Sequence, residues 1–278
     1  MSGRPSGRLQ GRRALVTGAS RGIGAGIAER LAAEGASVVI TARTLDEHPA
    51  LPGSLNETKA RLERFGGTIG VVAADLADGE DRARIVPEAA ALLGGPVEIL
   101  VNNAAAAIYA LPSQYPLKRR RISFEVNVHA PLDLAQAALP GMLEAGEGWI
   151  VNVSSRSAVH APGPPFETNG LASTIGLYGA SKAALNRETN ALAHELWGTG
   201  IRVNTVEPRA AVMSEGAEAL AGHVIRDDQK ESMEEMVEAT VFLCDCDELH
   251  TGAVHTSLDL IAAEGLSVMT LDATGVWS

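Results

Sequence analysis

Short β-branched runs alternate with stretches of helical period along most of this chain, and that alternation leaves few folds open. Residues 14–17, 37–41, 68–73, 98–101, 149–153 and 201–206 read as strands, with a further strand at 253–258. Between them, 22–34 places Ile23, Ile27 and Leu31 on one helical face. Ser54 and Glu57 make a capping box for a helix that runs to Gly66. Asp78 caps a helix reaching to about residue 93, which Pro87 is expected to kink or split. A long helix is expected over 122–139 with Pro131 inside it, and others over 178–197 and 233–243. Strands that each feed a helix argue a parallel sheet with helices on both faces. No repeat of solenoid period breaks the pattern. Residues 11–278 therefore read as one α/β domain behind a flexible leader, 1–10, rich in Gly, Arg and Ser.

Composition narrows the function classes. Hydrophobic residues make up 46% of the 278 and aromatics only 4%, so Ala, Val, Leu and Ile must fill the core. A net charge of −11 opposes binding to nucleic-acid phosphates. Arg12 and Arg13 after the leader read as part of a solvated tail rather than a basic arm. No uninterrupted apolar run reaches membrane-spanning length and no secretory signal opens the chain. Cys244 and Cys246 are badly spaced to bridge each other and too few for a metal site, so they read as ordinary thiols of a reducing compartment. A cytoplasmic protein without metal or nucleic-acid partner is expected.

The first strand runs into Thr17-Gly18-Ala19-Ser20-Arg21-Gly22-Ile23-Gly24 and then a helix. Glycines there allow a tight turn and a close backbone approach to a pyrophosphate, while the helix start offers unpaired N–H groups to the anion. A dinucleotide site is the reading that this context supports. The end of the second strand reads Ile40-Thr41-Ala42-Arg43-Thr44, with no acid before Asp46 to hold a ribose 2′-hydroxyl. Arg43, with Arg21, suits a 2′-phosphate instead. The expected cofactor is NADP(H), in preference to NAD(H).

Tyr178 and Lys182 stand four residues apart at a helix start, and so on one face. An ammonium beside the phenol is expected to favour phenolate and lower its pKa. With these residues in view, the chain from about Gly11 to Leu258 resembles the short-chain dehydrogenase/reductase family. The resemblance rests on the glycine loop, Asp75-Leu76 after the third strand and Asn102-Asn103-Ala104 after the fourth. Asn127, Ser154-Ser155 and Tyr178/Lys182 complete it, each at the C-terminal end of a strand or in the following helix.

The resemblance implies a Rossmann-type doubly wound parallel sheet of about seven strands. It implies that Tyr178 moves the proton of a carbonyl or secondary alcohol, that Ser155 holds the substrate oxygen, and that Lys182 holds the nicotinamide ribose. Asn127 would position a water beside Lys182. Gly18, Ser20, Arg21, Gly22, Ile23, Gly24, Arg43, Asp75, Leu76, Asn103 and Pro208 would line the cofactor. The partner is then a small carbonyl or alcohol molecule. A homodimer or homotetramer is implied, closed through the fourth and fifth helices where Ala130, Ala135, Ala137, Ala183 and Ala184 allow close packing. An epimerase or dehydratase of the same fold, and a silent dinucleotide sensor, stay open as alternatives.

Several stretches depart from the family pattern. Ser155 and Tyr178 are separated by an enlarged loop, with the excess within 160–176 and Phe166 as a candidate substrate contact. Glu207-Pro208-Arg209 stands where a Pro-Gly turn is usual, and no Thr follows at the usual place, leaving Ser214 as the nearest hydroxyl. Residues 212–223 are expected to form a flap. Lys118-Arg119-Arg120-Arg121 reads as a solvated face, with a docking patch for an acidic substrate as the sharper alternative. The 266–278 tail is moderately apolar and lacks the usual Gly-Gly.

Overall fold

The β-branched runs form a seven-stranded sheet in which every pairing is parallel. A computed structural model describes residues 7–46, 52–166, 170–212, 214 and 230–277. The strands are β1 (Arg13–Thr17), β2 (Ser37–Ala42), β3 (Ile69–Ala73), β4 (Ile99–Asn102), β5 (Gly148–Val153), β6 (Ile201–Glu207) and, after a short β7–β8 ladder (Ala211–Val212 with Lys230–Glu231), β9 (Val254–Thr256). Their order across the sheet is β3-β2-β1-β4-β5-β6-β9. The chain reverses its direction of travel between β1 and β4, the crevice where open sheets of this kind take ligands.

Alternation sends side chains to two cores. Val16, Val38, Ile40, Val151 and Val206 face α1 (Gly22–Ala33) and α8 (Met233–Leu243). Leu15, Val39, Leu100, Ile150 and Val203 face the other way. There they meet α3 (Gly79–Leu93), α5 (Ala130–Ala145) and the long α7 (Gly176–Glu195). The sheet is covered on both sides, which is why its strands read as continuous apolar runs.

The helices differ from expectation in instructive places. Ser54 caps α2 (Leu55–Leu62) by accepting from Glu57 N. Pro87 does not split α3, because it lies on the exposed face where water satisfies the carbonyl it leaves free. The single helix expected over 122–139 is instead α4 (Leu117–Phe124), a π-turn at Glu125–His129, and α5. Pro131 sits in the first turn of α5, where its missing N–H is tolerated and the wide turn absorbs the mismatch. The strand expected over 253–258 stops at Thr256, and Ser257 opens α9 (Ser257–Glu264). Between β5 and α7 lies the short α6 (Gly170–Thr174).

Both termini are more firmly held than their composition indicates. The leader is docked from Gly7 onward: Leu9 is fully buried, and Arg8 reaches Val241 O, Glu238 and Asp245. Arg12 and Arg13 are ion-paired to Glu98, and Arg12 also to Glu147 at 2.6 Å, so they form no free arm. The tail, described through residue 277, folds back on itself through a Met269–Val276 bridge. Ala130 and Ala135 lie inside the core and are unavailable to a neighbouring subunit. Lys118, Arg119, Arg120 and Arg121 are exposed on α4 and form no ion pair among the described residues. Cys244 and Cys246 are free and buried, and burial pushes both thiols up, Cys246 to about 12.

Candidate active site

The glycine loop is shaped by its neighbours. Gly18 and Gly22 adopt positive φ, +67° and +55°. A Cβ on Gly18 would lie 2.7 Å from Ala104 Cα, and one on Gly24 would lie 2.5 Å from Gly18 O. The loop after β4 thus presses directly against the loop after β1. Thr17 Oγ1 accepts from the backbone N of Asn103 (3.1 Å) and Ala104 (3.0 Å). In return Asn103 Nδ2 donates to Thr17 O (2.9 Å) and Gly18 O (3.2 Å). The Asn103 side chain therefore braces the loop and is not free to face an adenosine.

The start of α1 fits an anion. Its N-cap, Arg21, makes no side-chain cap, and no acid stands in the first turn, so N–H groups at Gly22, Ile23 and Gly24 have no side chain to accept them. Ser20 is buried beside them. The Arg21 guanidinium donates to Pro52 O (2.7 Å) and Gly53 O (2.9 Å), so it braces the neighbouring loop rather than reaching for a phosphate. Arg43, just past β2, is exposed and has no partner among the described residues. Asp46 accepts from Asn56 Nδ2 at 2.7 Å, which ties away the nearest acid. Past β3, Asp75 Oδ1 accepts from Ala77 N while the Leu76 side chain is buried in the core, leaving Leu76 only its backbone for a base.

Helix α7 brings the reactive side chains under the ends of β4 and β5. Tyr178 is its third residue and buried. Lys182, one turn on, is 2% exposed, and its Nζ donates to Val153 O at 2.7 Å and lies 5.9 Å from the Tyr178 ring centre. Ser155, at the turn after β5, neighbours Tyr178 and acts to lower its phenol. Ser155 Oγ also receives Ser157 N (3.2 Å) and Ser157 Oγ (2.9 Å). Accepting both leaves the Ser155 hydrogen to point at the phenol oxygen.

Electrostatics here run against the sequence expectation. Burial raises the Tyr178 phenol well above its ordinary value, reinforced by Tyr109 and opposed only by Ser155. Burial also lowers Lys182, to about 8. Desolvation of the phenolate thus favours the neutral phenol, and the Lys182 ammonium spends a proton on Val153 O.

Asn127 is fully buried and takes a bracing role. It accepts from Ala106 N (2.7 Å), donates to Ala106 O (3.3 Å) and donates to Ser181 Oγ (2.9 Å). Ser181 passes the contact to Tyr178 O at 2.7 Å. The π-turn thus fixes both the loop after β4 and the start of α7. Ser181, Thr17 and Ser157 are bracing residues that sequence reasoning did not single out. Thr17 opens the glycine motif, but the other two carry no local signature.

The segment after β6 is built differently from the expected Pro-Gly turn. Pro208 is half-buried, and Arg209 N and Ala210 N both donate to Glu231 Oε2 (2.8 and 3.2 Å). Glu207 is buried, pairs with Arg156 at 3.4 Å, and is raised by burial. Within the 160–176 excursion, Phe166 is 64% exposed and packs on Gly163. Most of the expected flap, 213 and 215–223, lies outside the described residues, as do 167–169.

A glycine loop at the switch point and a Ser–Tyr–Lys cluster beside it match a known family model. The model for short chain dehydrogenases matches residues 12–221. The chain belongs to the short-chain dehydrogenase/reductase family. This dehydrogenase/reductase is 31% identical to hydroxysteroid dehydrogenase-like protein 2 of Danio rerio over 94% of its own length, but spans only 60% of that longer protein. A short chain dehydrogenase from Burkholderia cenocepacia, solved in complex with NADP, superposes with a TM-score of 0.75 at 34% identity, covering 90% of this chain and 97% of that one. A 3-oxoacyl (acyl-carrier-protein) reductase from Agrobacterium tumefaciens, with NADP bound, has a TM-score of 0.75 at 30% identity over 89% of this chain and 93% of its own. The fold of this chain is accordingly that of this family. None of its described helices is long and apolar enough to cross a membrane.

Proposed function

We propose that the protein reduces a small-molecule carbonyl to a secondary alcohol, or runs the reverse reaction, with NADP(H) as the redox partner. The observation that carries the reading is the convergence of Ser155, Tyr178 and Lys182 beside an uncapped α1 start, at one end of the sheet. When bound, the dinucleotide supplies or accepts the hydride. The chain's own residues handle everything else. The α1 start and the glycine loop hold the pyrophosphate. Arg43 holds the 2′-phosphate, its guanidinium having no partner among the described residues at the end of β2. Lys182 faces the nicotinamide ribose.

In the reduction direction Tyr178 gives its proton to the carbonyl oxygen as hydride reaches the carbon, so a C–H and an O–H bond form while the C=O double bond becomes single. Ser155 turns its hydrogen from the phenol to that oxygen and stabilises the charge it gains. The phenolate left behind faces the Lys182 ammonium and is reprotonated from solvent. A neutral, buried phenol is suited to the acid role.

The test is loss of NADPH absorbance with a panel of ketones, beside direct measurement of NADPH binding. Turnover of at least one ketone class is the expected result. Tight binding without turnover across the panel would instead identify a dinucleotide sensor.

A further inference from the structure

A second phenol is presented to the same chemistry. Tyr109 lies on the loop after β4, with its ring centre 5.8 Å from that of Tyr178 and the planes at 65°. The loop backbone is held on alternate residues around it. Asn127 grips Ala106 on both backbone groups, Tyr115 Oη donates to Ile108 O at 2.6 Å, and Ala110 N donates to Thr174 O at 3.0 Å. Tyr115 is itself buried and lies 3.3 Å from Ser123 Oγ. The odd residue between two clamped neighbours has its direction set by the backbone. Yet the Tyr109 hydroxyl has no hydrogen-bond partner among the described residues, although the side chain is half-buried.

Aromatic packing alone explains the ring but not the hydroxyl. Phenylalanine would fill the same edge-on contact, and a buried phenol usually finds a partner. The bracing of residues 106–110 fixes a donor that none of the described residues accepts. We infer that Tyr109 is a specificity-determining residue whose hydroxyl binds a second substrate oxygen, so that the enzyme favours carbonyl compounds bearing another oxygen one or two carbons from the reacting carbon. This rests on the reductase reading above for its chemistry, but not for its geometry. Tyr178 and Ser155 take the reacting oxygen, and Tyr109 takes the second one, which fixes which face of the carbonyl is presented.

The experiment compares ethyl acetoacetate with methyl pentyl ketone, similar in length but lacking the second oxygen, in the wild type and Tyr109→Phe. The expected result is a fall of about tenfold in the ratio of kcat/KM values, acetoacetate over ketone, with NADPH affinity unmoved. An unchanged ratio, or an equal loss on both compounds, overturns the inference and leaves Tyr109 as a wall. Contact with each compound is also followed by saturation-transfer NMR on the enzyme–NADP complex, which needs no turnover. If the wild type turns over neither compound, the panel above decides the reductase reading and binding decides this inference. The inference then stands if Tyr109→Phe erases preferential binding of the acetoacetate, and falls if binding is unaltered.

Discussion

Protonation at the site is governed by burial more than by the pairing of Tyr178 with Lys182. Lys182 titrates at about 8 because its ammonium is fully desolvated, so kcat/KM for NADPH-dependent reduction is expected to fall as pH rises through about 8. A limb near 10, the range of a solvated lysine, would contradict this. In the proposed reaction, cofactor choice is placed on one residue. Arg43→Ala is expected to weaken NADPH binding about tenfold and leave NADH binding nearly unmoved, as read by titration of each cofactor. Comparable losses for both cofactors would remove Arg43 from the 2′-phosphate site. The i, i+4 spacing of Tyr178 and Lys182 was legible in the sequence because helical geometry follows from local pattern. The direction of the Tyr178 shift was not, since desolvation depends on what α7 packs against. Arg21 and Arg43 look equivalent as text. Only the fold shows that the carbonyls of Pro52 and Gly53 engage the first, while the second has no partner among the described residues.

Strands were the most readable elements, because burial on both faces makes each a continuous β-branched run, and β1 to β6 stand within a residue or so of their expected limits. Helix α8 matches its expected range, 233–243, its start fixed by a full capping box between Ser232 and Glu235. The π-turn was hidden, since nothing in Glu125-Val126-Asn127 distinguishes a wide turn from a normal one until Ala106 and Ser181 are in place. Helix α9 was hidden too: its apolar residues follow a strand without a break. Its attachment yields a pH prediction. His250 bridges Asp247 (3.0 Å) and Glu264 (3.1 Å), tying the loop after α8 to α9. Chiefly through Asp247, the imidazole pKa is raised above its ordinary value. The folded state therefore holds the proton more tightly than the unfolded one. That stabilisation is complete below the unfolded pKa, about 6.5, and is lost as pH rises through the folded value. Thermal melts between pH about 6 and 8 should show this slope in the wild type and a flatter one in His250→Asn. Identical slopes would mean that the clasp does not hold a proton.

Across the whole molecule, one buried ionic network joins segments far apart in sequence. Arg30 is 2% exposed and lies 2.8 Å from both Glu34 and Glu238. Glu238 also meets Arg8 near the start and accepts from Met269 N near the end. Charge composition alone gives no sign of this, because it arises only when α1, α8 and both ends of the chain stack on one face of the sheet. Removing one member leaves a desolvated charge, so Glu238→Gln should cost about 3–5 kcal/mol in denaturant unfolding. A loss below about 1 kcal/mol would show that water reaches the network. This structural network lies apart from the Ser155–Tyr178–Lys182 site, and its variants should be read by stability before activity.

The proposed reaction as a whole stands on the Tyr178 hydroxyl as proton donor. Tyr178→Phe keeps the ring and the packing of α7 and removes only that group. Single-turnover NADPH oxidation with a ketone that the wild type reduces, measured beside NADPH affinity, is expected to show a fall of at least about a hundredfold in rate with binding preserved. Turnover near the wild-type rate in that variant would contradict the proposed chemistry at this site.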